Sequence, residues 1–275
     1  MKLWEHCKPM TDFQPQNILV TGGAGFIGSN FVRYMLATDP EVKIVNLDKL
    51  TYAGSMENLQ DLPDPARHQF VQGDICEQTL VAKLLEQNRI DTIVHFAAES
   101  HVDRSISGPG EFIQTNIIGT YELLEAARAY WQKSHGLDSQ KCRFQHISTD
   151  EVFGTLALTD PAFTETTAYA PNSPYSASKA ASDHLVRAWH HSFGMPVTTS
   201  NCSNNYGPCQ HAEKFIPTVI AACQQRKQIP IYGDGSNIRD WLYVEDHCSG
   251  IDAVIRRGQL GETYNIGGIN EWSNI

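Results

Sequence analysis

Two short segments carry residue types that could perform acid–base chemistry. Tyr175 and Lys179 are four residues apart in a helical pattern, so their side chains share one helix face. A lysine ammonium beside a phenol favours the phenolate, which would make Tyr175 a base near neutral pH. Upstream, Thr149 is followed by Asp150 and Glu151. Two sets of proton-transfer groups exceed what alcohol oxidation needs and predict oxidation coupled to elimination.

Both pairs have a simpler interpretation, as solvated surface groups, and a glycine-rich segment favours the chemical one. The apolar run 17–21 is typical of a buried strand, and Gly22, Gly25 and Gly28 follow it before a helical stretch near 26–37. The first glycine allows a tight turn, the second lets backbone N–H groups approach a pyrophosphate, and the third lets helix and sheet pack closely. The helix N-terminus then faces the phosphate charge. This context predicts a dinucleotide site.

A carboxylate at the end of the second predicted strand indicates which dinucleotide binds. Asp48 ends the run 43–48, about twenty residues beyond the glycines, where a ribose-binding acid is expected. A carboxylate there accepts hydrogen bonds from a 2′-hydroxyl and repels a 2′-phosphate, and no arginine follows closely. The sequence therefore favours NAD over NADP. The alternative for Asp48 is a turn residue at a strand end.

Short apolar runs alternate with helical patterns along most of the chain. The other strand candidates are 69–73, 92–97, 143–148 and 196–201, and the other helical stretches lie near 78–88, 112–133 and 175–193. This alternation predicts an α/β fold, a Rossmann-type doubly wound parallel sheet with right-handed crossovers. Ligands bind beyond the carboxyl ends of such strands, where the glycines, Asp48 and the Asp–Glu pair all fall.

The segment 202–261 changes character, because it is rich in turn residues with interspersed aromatic side chains. It is typical of a small unit inserted before a last strand. We therefore predict a NAD-binding domain over 16–201 and a smaller C-terminal substrate domain over 202–275. The last strand, near 262–268, is expected to return to the first domain.

Composition and charge narrow the possible functions. Of 275 residues, 41% are hydrophobic and 19% charged, and the net charge of −10 at pH 7 argues against a nucleic-acid or anionic-membrane surface. No apolar run is long enough to span a membrane, and residues 1–15 contain no apolar core of a signal peptide. Seven cysteines without a C-x-x-C pair predict free thiols in a reducing, cytoplasmic compartment. Eleven histidines without ligand-like spacing predict no metal site.

Seven segments of the chain carry a family resemblance: 21–28, 48–54, 97–105, 148–154, 175–179, 201–208 and 238–246. On these segments the sequence resembles the extended short-chain dehydrogenase/reductases, and within them the dTDP-glucose 4,6-dehydratase family. The glycine and Tyr–Lys motifs mark the superfamily, whereas the Thr-Asp-Glu segment marks the dehydratases. Family members continue for several tens of residues past the position of Ile275. The resemblance therefore implies a substrate domain that lacks its C-terminal part in this sequence.

The resemblance implies two sets of ligand contacts around one site. NAD would be held by Gly22, Gly25, Phe26, Ile27, Gly28, Asp48, Lys49, Leu50, Thr51, Asp74, Ile75, Phe96, Ala97, Ala98, Glu99, Thr115, Tyr175, Lys179 and Asn205. The nucleotide sugar, dTDP-glucose, would contact Ser100, Thr149, Asn204, Lys214, Phe215, Pro230, Ile231, Tyr232, Arg239 and Asn274. For Lys214 and Arg239, a solvated or ion-paired surface role is the alternative.

The resemblance also implies a role for each catalytic residue. Tyr175 takes the proton of the sugar 4-hydroxyl while a hydride passes from C4 to NAD⁺. Lys179 supports the phenolate, and Thr149 hydrogen-bonds the 4-oxygen. Glu151 then removes the C5 proton as base, and Asp150 protonates the departing 6-hydroxyl as acid. The hydride returns to C6, so the cofactor is regenerated in each cycle.

Other activities on the same scaffold stay open at this point. A UDP-sugar 4-epimerase or a UDP-glucuronate decarboxylase keeps the Tyr–Lys pair without needing the Asp–Glu pair. Dehydratases of GDP-mannose or UDP-N-acetylhexosamines are nearer alternatives, and a non-catalytic NAD-binding module is one of a different class. The resemblance further implies a homodimer formed through the helices near 112–133 and 175–193.

Overall fold

The structure is a computed structural model that describes residues 12–157, 159–229 and 235–273. The strands in these residues are β1 (Asn17–Thr21), β2 (Lys43–Asp48), β3 (His68–Gln72), β4 (Thr92–His95), β5 (Arg143–Thr149), β6 (Val197–Cys202), β7 (Asn204–Tyr206), β8 (Ile238–Tyr243), β9 (Thr263–Ile266) and β10 (Glu271–Ser273). The α-helices are α1 (Phe26–Thr38), α2 (Gln78–Gln87), α3 (Val102–Ser107), α4 (Pro109–Phe112), α5 (Thr120–Ser134), α6 (Pro174–Phe193), α7 (Phe215–Gln224) and α8 (Val244–Arg257). A π-helical segment, Ile113–Gly119, joins α4 to α5, and 3₁₀ turns span Met56–Leu59, Pro65–Arg67 and Asp150–Phe153.

Seven parallel strands form one sheet in the order β3-β2-β1-β4-β5-β6-β9. The direction of the strand order reverses between β1 and β4, and such a switch point is where open α/β sheets bind ligands. The predicted Rossmann-type sheet is confirmed. Each of its strands lies within two residues of the predicted range, because buried parallel strands read as short continuous apolar runs.

Helices cover both faces of the sheet, so its central strands have a core on each side. On one face, Leu19 of β1 belongs to a cluster with Leu84 of α2 and Leu123 of α5. On the other face, Val20 belongs to a second cluster together with Ile251 of α8. The alternation of side chains along a strand sends neighbouring residues of β1 into these two clusters. The result is a rigid frame whose strand ends are fixed.

The stretch 202–261 contains more regular structure than its turn-rich composition indicated. Strands β7, β8 and β10 form a separate three-stranded sheet in the order β10-β8-β7. Helix α8 buries Val244, Cys248, Ile251 and Ile255 in the cluster that also contains the apolar face of α1. These four residues recur at helical spacing, so α8 belongs to the layer that covers the large sheet. The division into domains at residue 202 stays a prediction.

Helix α6 has defined start and stop signals that fix the position of the Tyr–Lys pair. The Ser173 hydroxyl accepts a hydrogen bond from the Ser176 N–H, and the Ser176 hydroxyl accepts one from the Ser173 N–H, both at 3.0 Å. This reciprocal capping box starts the helix, and Gly194, in the left-handed region at φ 70°, ends it. Tyr175 and Lys179 therefore lie in its first two turns.

The described residues contain neither a membrane-spanning helix nor a cluster of metal-binding side chains. None of their helices combines the length and apolarity needed to cross a membrane. No group of three or more His, Cys, Asp or Glu side chains within 12–157, 159–229 and 235–273 is arranged to hold a metal ion. The cysteines in these ranges are free thiols.

Candidate active site

A cavity of about 330 Å³ lies at the carboxyl ends of the parallel strands. The ends of β1 to β6 and the first turns of α1 and α6 build its wall, as expected for an open α/β sheet. Most of the predicted residues line it: Gly22, Gly25, Phe26, Ile27, Gly28, Asp48, Lys49, Thr51, Asp74, Ile75, Phe96, Ala97, Ala98, Glu99, Ser100, Thr115, Thr149, Glu151, Tyr175, Lys179, Asn204, Asn205 and Lys214. One cavity thus collects predicted residues from nine separate stretches of the sequence, as expected where the carboxyl ends of parallel strands meet.

The glycine loop between β1 and α1 is shaped by close backbone contacts. Gly22 has φ +73°, and a Cβ there would lie 2.6 Å from the Ala97 nitrogen. A Cβ at Gly28 would collide with the Gly22 carbonyl oxygen and lie 2.8 Å from the Gly23 Cα. A Cβ at Gly25 would meet only the Gly22 oxygen, at 3.3 Å. The first and last glycines are therefore required by the fold, and the middle one leaves room for a ligand.

The N-terminus of α1 is open toward the cavity. Its N-cap is Gly25, and no side chain within the described ranges caps the helix by a hydrogen bond. The first N–H groups of a helix lack intrahelical partners and carry a partial positive charge. This end of α1 is therefore suited to a phosphate group.

Asp48 is held in a fixed orientation at the end of β2. Its Oδ2 accepts a hydrogen bond from the Ala24 N–H at 2.9 Å, and its Oδ1 accepts one from the Leu50 N–H at 2.8 Å. A Cβ at Gly54 would lie 2.9 Å from the same Oδ1, so the loop packs against the carboxylate. Leu50 itself is not among the cavity-lining residues of the described chain, and its contribution is this N–H group. Asp48 also lines the cavity, so its carboxylate is available to a ribose hydroxyl.

An ion pair marks the outer end of the cavity. Lys49 Nζ lies 2.8 Å from Asp74 Oδ2, and both residues line the wall. Burial acts to raise the pKa of Asp74, but the hydrogen bonds from Lys49 and Cys76 and the positive charge of Lys49 together outweigh it, so the pKa is lowered. Because the side chain of Lys49 is half exposed, this pair contributes little to folding stability.

The environment of Tyr175 differs from the sequence-based expectation. Burial and the negative charge of Glu151 raise the pKa of Tyr175 well above its ordinary value, and a hydrogen bond with Thr149 acts in the opposite direction. Lys179 was expected to favour the phenolate, yet its Nζ donates to the Ile147 carbonyl oxygen at 2.8 Å. A phenolate at Tyr175 therefore requires further positive charge in the cavity.

Asp150 and Glu151 follow β5 in one 3₁₀ turn and have different surroundings. Burial and the charge of Glu151 raise the pKa of Asp150 to about 6. Burial also raises the pKa of Glu151, but Arg239 and Lys214 lower it by their positive charges. Both pKa values are raised, but Glu151 is influenced by neighbouring positive charge and Asp150 by the negative charge of Glu151. Such a difference in surroundings is what an acid and a base need. Glu151 lines the cavity, and Asp150 is not among the wall residues of the described ranges.

The predicted substrate residues fall into three groups. Thr149, Ser100, Asn204 and Lys214 line the cavity. Arg239 and Phe215 are absent from the wall within the described chain, although Arg239 is close enough to Glu151 to lower its pKa. The Phe215 ring stacks on Trp241 with ring centroids 6.2 Å apart. Pro230, Ile231, Tyr232 and Asn274 lie outside the described residues.

Several wall residues were not selected from the sequence: Leu47, Ala53, Gly54, Gly73, Ile147, Ser148, Cys202, Ser203, Gln210 and His211. Gly73, Ile147, Ser148, Cys202 and Ser203 lie at or just after strand ends, so the rule that located Asp48 could have found them. Gln210 and His211 come from a loop after β7 and carry no such signal. Their position in the wall depends on the path of the loop after β7, which the sequence does not indicate.

A buried amide positions two parts of the wall. Asn116, in the π-helical segment, accepts a hydrogen bond from the Glu99 N–H at 2.8 Å and donates one to the Glu99 carbonyl oxygen at 3.0 Å. It also donates to the Ser178 hydroxyl of α6 at 2.8 Å. One side chain thus fixes the loop after β4 relative to the helix that carries Tyr175. A π-helical turn at such a place is a common feature of functional sites.

Known proteins match the sequence over most of its length. The sequence model of the family described as GDP-mannose 4,6 dehydratase matches residues 19–275. A dTDP-glucose 4,6-dehydratase from Neisseria gonorrhoeae is 57% identical over 260 residues, which cover 94% of this chain and 75% of the relative. The chain belongs to the dTDP-glucose 4,6-dehydratase family. The predicted resemblance is therefore confirmed.

Solved structures of this dehydratase family have the same fold. The enzyme from Bacillus anthracis strain Ames, in complex with NAD, gives a TM-score of 0.85 at 46% identity, covering 94% of this chain and 77% of that chain. The enzyme from Streptomyces venezuelae, with NAD and dTDP bound, gives a TM-score of 0.84 at 47% identity with the same coverage. The cavity of the present family member fits a dinucleotide of that kind. It combines an open helix N-terminus, a loop in which Gly25 leaves space for a ligand, and a fixed carboxylate.

Proposed function

We propose that the chain is a lyase that converts dTDP-glucose to dTDP-4-dehydro-6-deoxyglucose with NAD as its cofactor. The observation that carries the proposal is that Thr149, Glu151 and Tyr175 line the same cavity as the glycine loop and Asp48. Membership of the dehydratase family supports the same reaction. When bound, NAD⁺ accepts a hydride, returns it later in the cycle and adds positive charge to the cavity.

Oxidation at the sugar C4 depends on Tyr175 and its neighbours. Tyr175 takes the proton of the 4-hydroxyl, and Thr149 donates a hydrogen bond to the same oxygen. The pKa of Tyr175 is raised by burial, so the phenol holds its proton until positive charge enters the cavity. Lys179 supplies a buried ammonium group one turn further along α6. Tyr175 can therefore act as a base only when the cofactor is bound.

Loss of water depends on the two carboxyl groups after β5. Once C4 is a ketone, the C5 proton is acidic and Glu151 removes it. Asp150, whose pKa is about 6, donates a proton to the departing 6-oxygen. A carboxyl group whose pKa is raised toward the working pH is suited to act as a general acid. The simpler dehydrogenation or epimerisation of a hydroxyl has no need for this second pair.

The nucleotide diphosphate requires positive charge in a protein that is acidic as a whole. Lys214 lines the cavity. Arg239 lies near the same carboxylate as Lys214, since the positive charges of both residues act on Glu151 and oppose the rise of its pKa. We place the diphosphate near these two side chains, where local charge outweighs the net charge of the protein. Asn204 and Ser100, on the same wall, supply neutral hydrogen-bonding groups for the sugar.

The assembly and location of the protein are part of this proposal. We propose a homodimer formed through the outer faces of the helical region 113–134 and α6. Exposed apolar side chains on these faces include Ile118, Tyr121 and Phe193. Light scattering after size exclusion tests the dimer, since Tyr121→Glu should yield monomers and Ile220→Glu, on exposed α7, should not. The free thiols are compatible with the reducing cytoplasm that we propose as the location.

Parallel incubations with dTDP-glucose, UDP-glucose and CDP-glucose test the function. We expect mass spectrometry to show loss of one water from the dTDP-sugar and a 4-keto-6-deoxy product. With deuterium at C4, the label should appear at C6. Label lost to solvent, or stoichiometric accumulation of NADH, would contradict the internal hydride return.

The same assay, extended to UDP-glucuronate, GDP-mannose and UDP-N-acetylhexosamines, separates the competing activities. A product of unchanged mass with inverted C4 would indicate a 4-epimerase, and release of CO₂ from UDP-glucuronate would indicate a decarboxylase. Dehydration of another nucleotide sugar in preference to dTDP-glucose would move the assignment within the dehydratases. Tight NAD binding without turnover of any sugar would indicate a non-catalytic module.

A further inference from the structure

A buried carboxylate joins the strand and the helix that carry the catalytic residues. Asp183, on α6, is 5% exposed and lies one turn beyond Lys179. Its Oδ1 accepts a hydrogen bond from His146 Nε2 at 3.0 Å, and its Oδ2 accepts from the Ser148 hydroxyl at 2.8 Å and the Tyr169 hydroxyl at 2.9 Å. Burying a carboxylate costs free energy unless its lone pairs are satisfied, and here three donors satisfy them.

The three donors come from the segments that surround the acid–base residues. Ser148 immediately precedes Thr149, and His146 lies two residues earlier on β5. Tyr169 belongs to the segment between β5 and α6. Asp183 therefore fixes the end of β5, from which the Asp–Glu pair follows, against the helix that carries Tyr175. A small rotation of α6 about its axis would break all three hydrogen bonds.

Lys179 is surrounded by groups that carry little charge at neutral pH. Burial lowers the pKa of His146 on β5 to about 4 and places that of His95 on β4 well below its ordinary value. Burial also raises the pKa of the Cys202 thiol on β6 to about 12. Tyr175, on α6 itself, keeps its proton for the same reason.

Asp183 is the charged group that remains near the lysine. Burial lowers the pKa of Lys179, and the negative charge of Asp183 is the largest influence that raises it. The hydrogen-bond acceptor of Lys179, the Ile147 carbonyl, carries no formal charge. The Asp183 carboxylate accepts hydrogen bonds from three donors, which satisfy its buried oxygen atoms.

We propose that Asp183 is a positioning residue of this site, which ties β5 to α6 and provides the buried counter-charge of the Lys179 ammonium. The inference rests on the proposed function for the catalytic role of Lys179, whereas the hydrogen-bonded set around Asp183 is independent of it. Asp183 touches neither substrate nor cofactor and acts through Lys179 and the end of β5.

The substitution Asp183→Asn removes the charge and keeps the shape. The amide oxygen still accepts from His146, and the amide nitrogen donates to the hydroxyl oxygens of Ser148 and Tyr169, which rotate to accept. Tyr169→Phe is the matched control, because it removes one donor and leaves the carboxylate in place. We expect both variants to fold with lowered melting temperatures.

Two measurements separate the charge from a merely structural effect. The ¹³Cε resonance of Lys179, assigned with Lys179→Arg, reports its titration directly. We expect Asp183→Asn to move this titration to lower pH by about one unit or more, the usual effect of losing a close opposite charge. The alkaline limb of kcat with dTDP-glucose should move in the same direction by a similar amount. Tyr169→Phe should leave both near their wild-type positions.

An unchanged Lys179 titration in folded Asp183→Asn would overturn the inference, as would an equal shift in Tyr169→Phe. If the wild-type chain turns over no nucleotide sugar while the ¹³C titration still shifts, the proposed function fails and the charge pairing stands. If Asp183→Asn does not fold, Asp183→Ser provides the same comparison, since its smaller side chain leaves space for a bridging water.

Discussion

The two walls of the cavity are built by different means. On the wall formed by β1, β2 and α1, backbone atoms in close contact set the shape, and Gly22 and Gly28 have no space for a side chain. On the wall formed by β5 and α6, polar side chains with displaced pKa values set the chemistry, as at Tyr175 on the wall itself and at Asp150 next to the wall residue Glu151. The first wall should tolerate no added volume. The second should tolerate changes of equal shape but not changes of charge or protonation.

Tyr175→Phe tests the chemical wall and has the largest expected effect. The variant keeps the ring and removes the proton acceptor, so we expect kcat to fall about a thousandfold, or about 4 kcal/mol of transition-state stabilisation. Affinity for NAD, measured by calorimetric titration, should change by less than about tenfold. The control Tyr169→Phe also removes a phenol, outside the cavity wall, and should retain most of its activity. If NAD affinity and kcat fell by similar factors, Tyr175 would serve binding as much as chemistry, which would contradict the proposed difference between the two walls.

Gly28→Ala tests the wall set by shape. The added Cβ meets the Gly22 carbonyl and the Gly23 Cα, both backbone atoms that cannot rotate away. We expect the free energy of unfolding to fall by about 3 kcal/mol and NAD affinity to fall with it. Urea denaturation provides the first value. Gly110→Ala is the control, because a Cβ there has no atom of the described structure within 4 Å, and its stability should be unchanged or slightly raised.

Asp150→Asn should lower the activity and raise the free energy of unfolding, and the rise should depend on pH. The pKa of Asp150 rises from its ordinary value of 3.8 to about 6 in the folded protein. The folded state therefore favours the protonated acid, and that contribution to stability is full below about pH 4 and is lost as the pH rises to about 6. Asparagine does not ionise, so the variant should be more stable by about 2 kcal/mol near neutral pH, a value reduced for partial exposure.

The measurement for Asp150→Asn is urea unfolding at about pH 4 and about pH 7. The gain should be present at the higher pH and absent at the lower one, while dehydration slows at both. Thr149→Ser, which keeps the hydroxyl beside Asp150, is a control that should show no such pH dependence. Equal gains at the two pH values would show that the effect does not come from ionisation.

Asp48→Asn has the smallest expected effect. It tests whether a charged side chain contributes to NAD binding on the wall whose shape is otherwise set by backbone atoms. One oxygen of Asp48 becomes an NH₂ group facing the Ala24 or Leu50 N–H, so one hydrogen bond is lost. We expect NAD affinity to fall about tenfold, or about 1.5 kcal/mol. The preference over NADP should narrow, because the negative charge that repels a 2′-phosphate is gone. Fluorescence titration with both dinucleotides measures the ratio, and an unchanged ratio would contradict the role of Asp48.

For the wall formed by β1, β2 and α1, local sequence signals predicted the glycines and Asp48 but not Leu47, Ala53 and Gly54. A strand, a tight turn and a helix must follow each other where Gly22, Gly25 and Gly28 are spaced by three, and Asp48 follows from the length of one βαβ unit. For the wall formed by β5 and α6, the sequence predicted the acid–base residues but not their pKa values. The sequence places Lys179 near Tyr175, but burial and the carbonyl acceptor of Lys179 depend on the packing of β5 against α6.

Long-range packing accounts for most of what sequence reasoning missed. Helix α8 lies in a turn-rich stretch, and its partner α1 is near the other end of the chain. Strand β10 has only three residues, and its antiparallel pairing with β8 lies outside the large parallel sheet. The region predicted as one helix over 112–133 contains the π-helical segment, because its Asn116 satisfies hydrogen bonds to Glu99 and Ser178 that a regular turn would misplace.

The packing of α8 against α1 has a consequence for how the protein is made. Phe31 and Met35 share a core cluster with Ile251 and Ile255, so the first helix finds its cover only after the last helix of the described structure has been synthesised. Until then an apolar stripe of the nascent polypeptide stays in contact with water or with a chaperone. Contacts between such distant parts of a sequence slow folding. We therefore expect synthesis of α8, and not completion of the glycine loop, to set the earliest time at which a folded molecule appears.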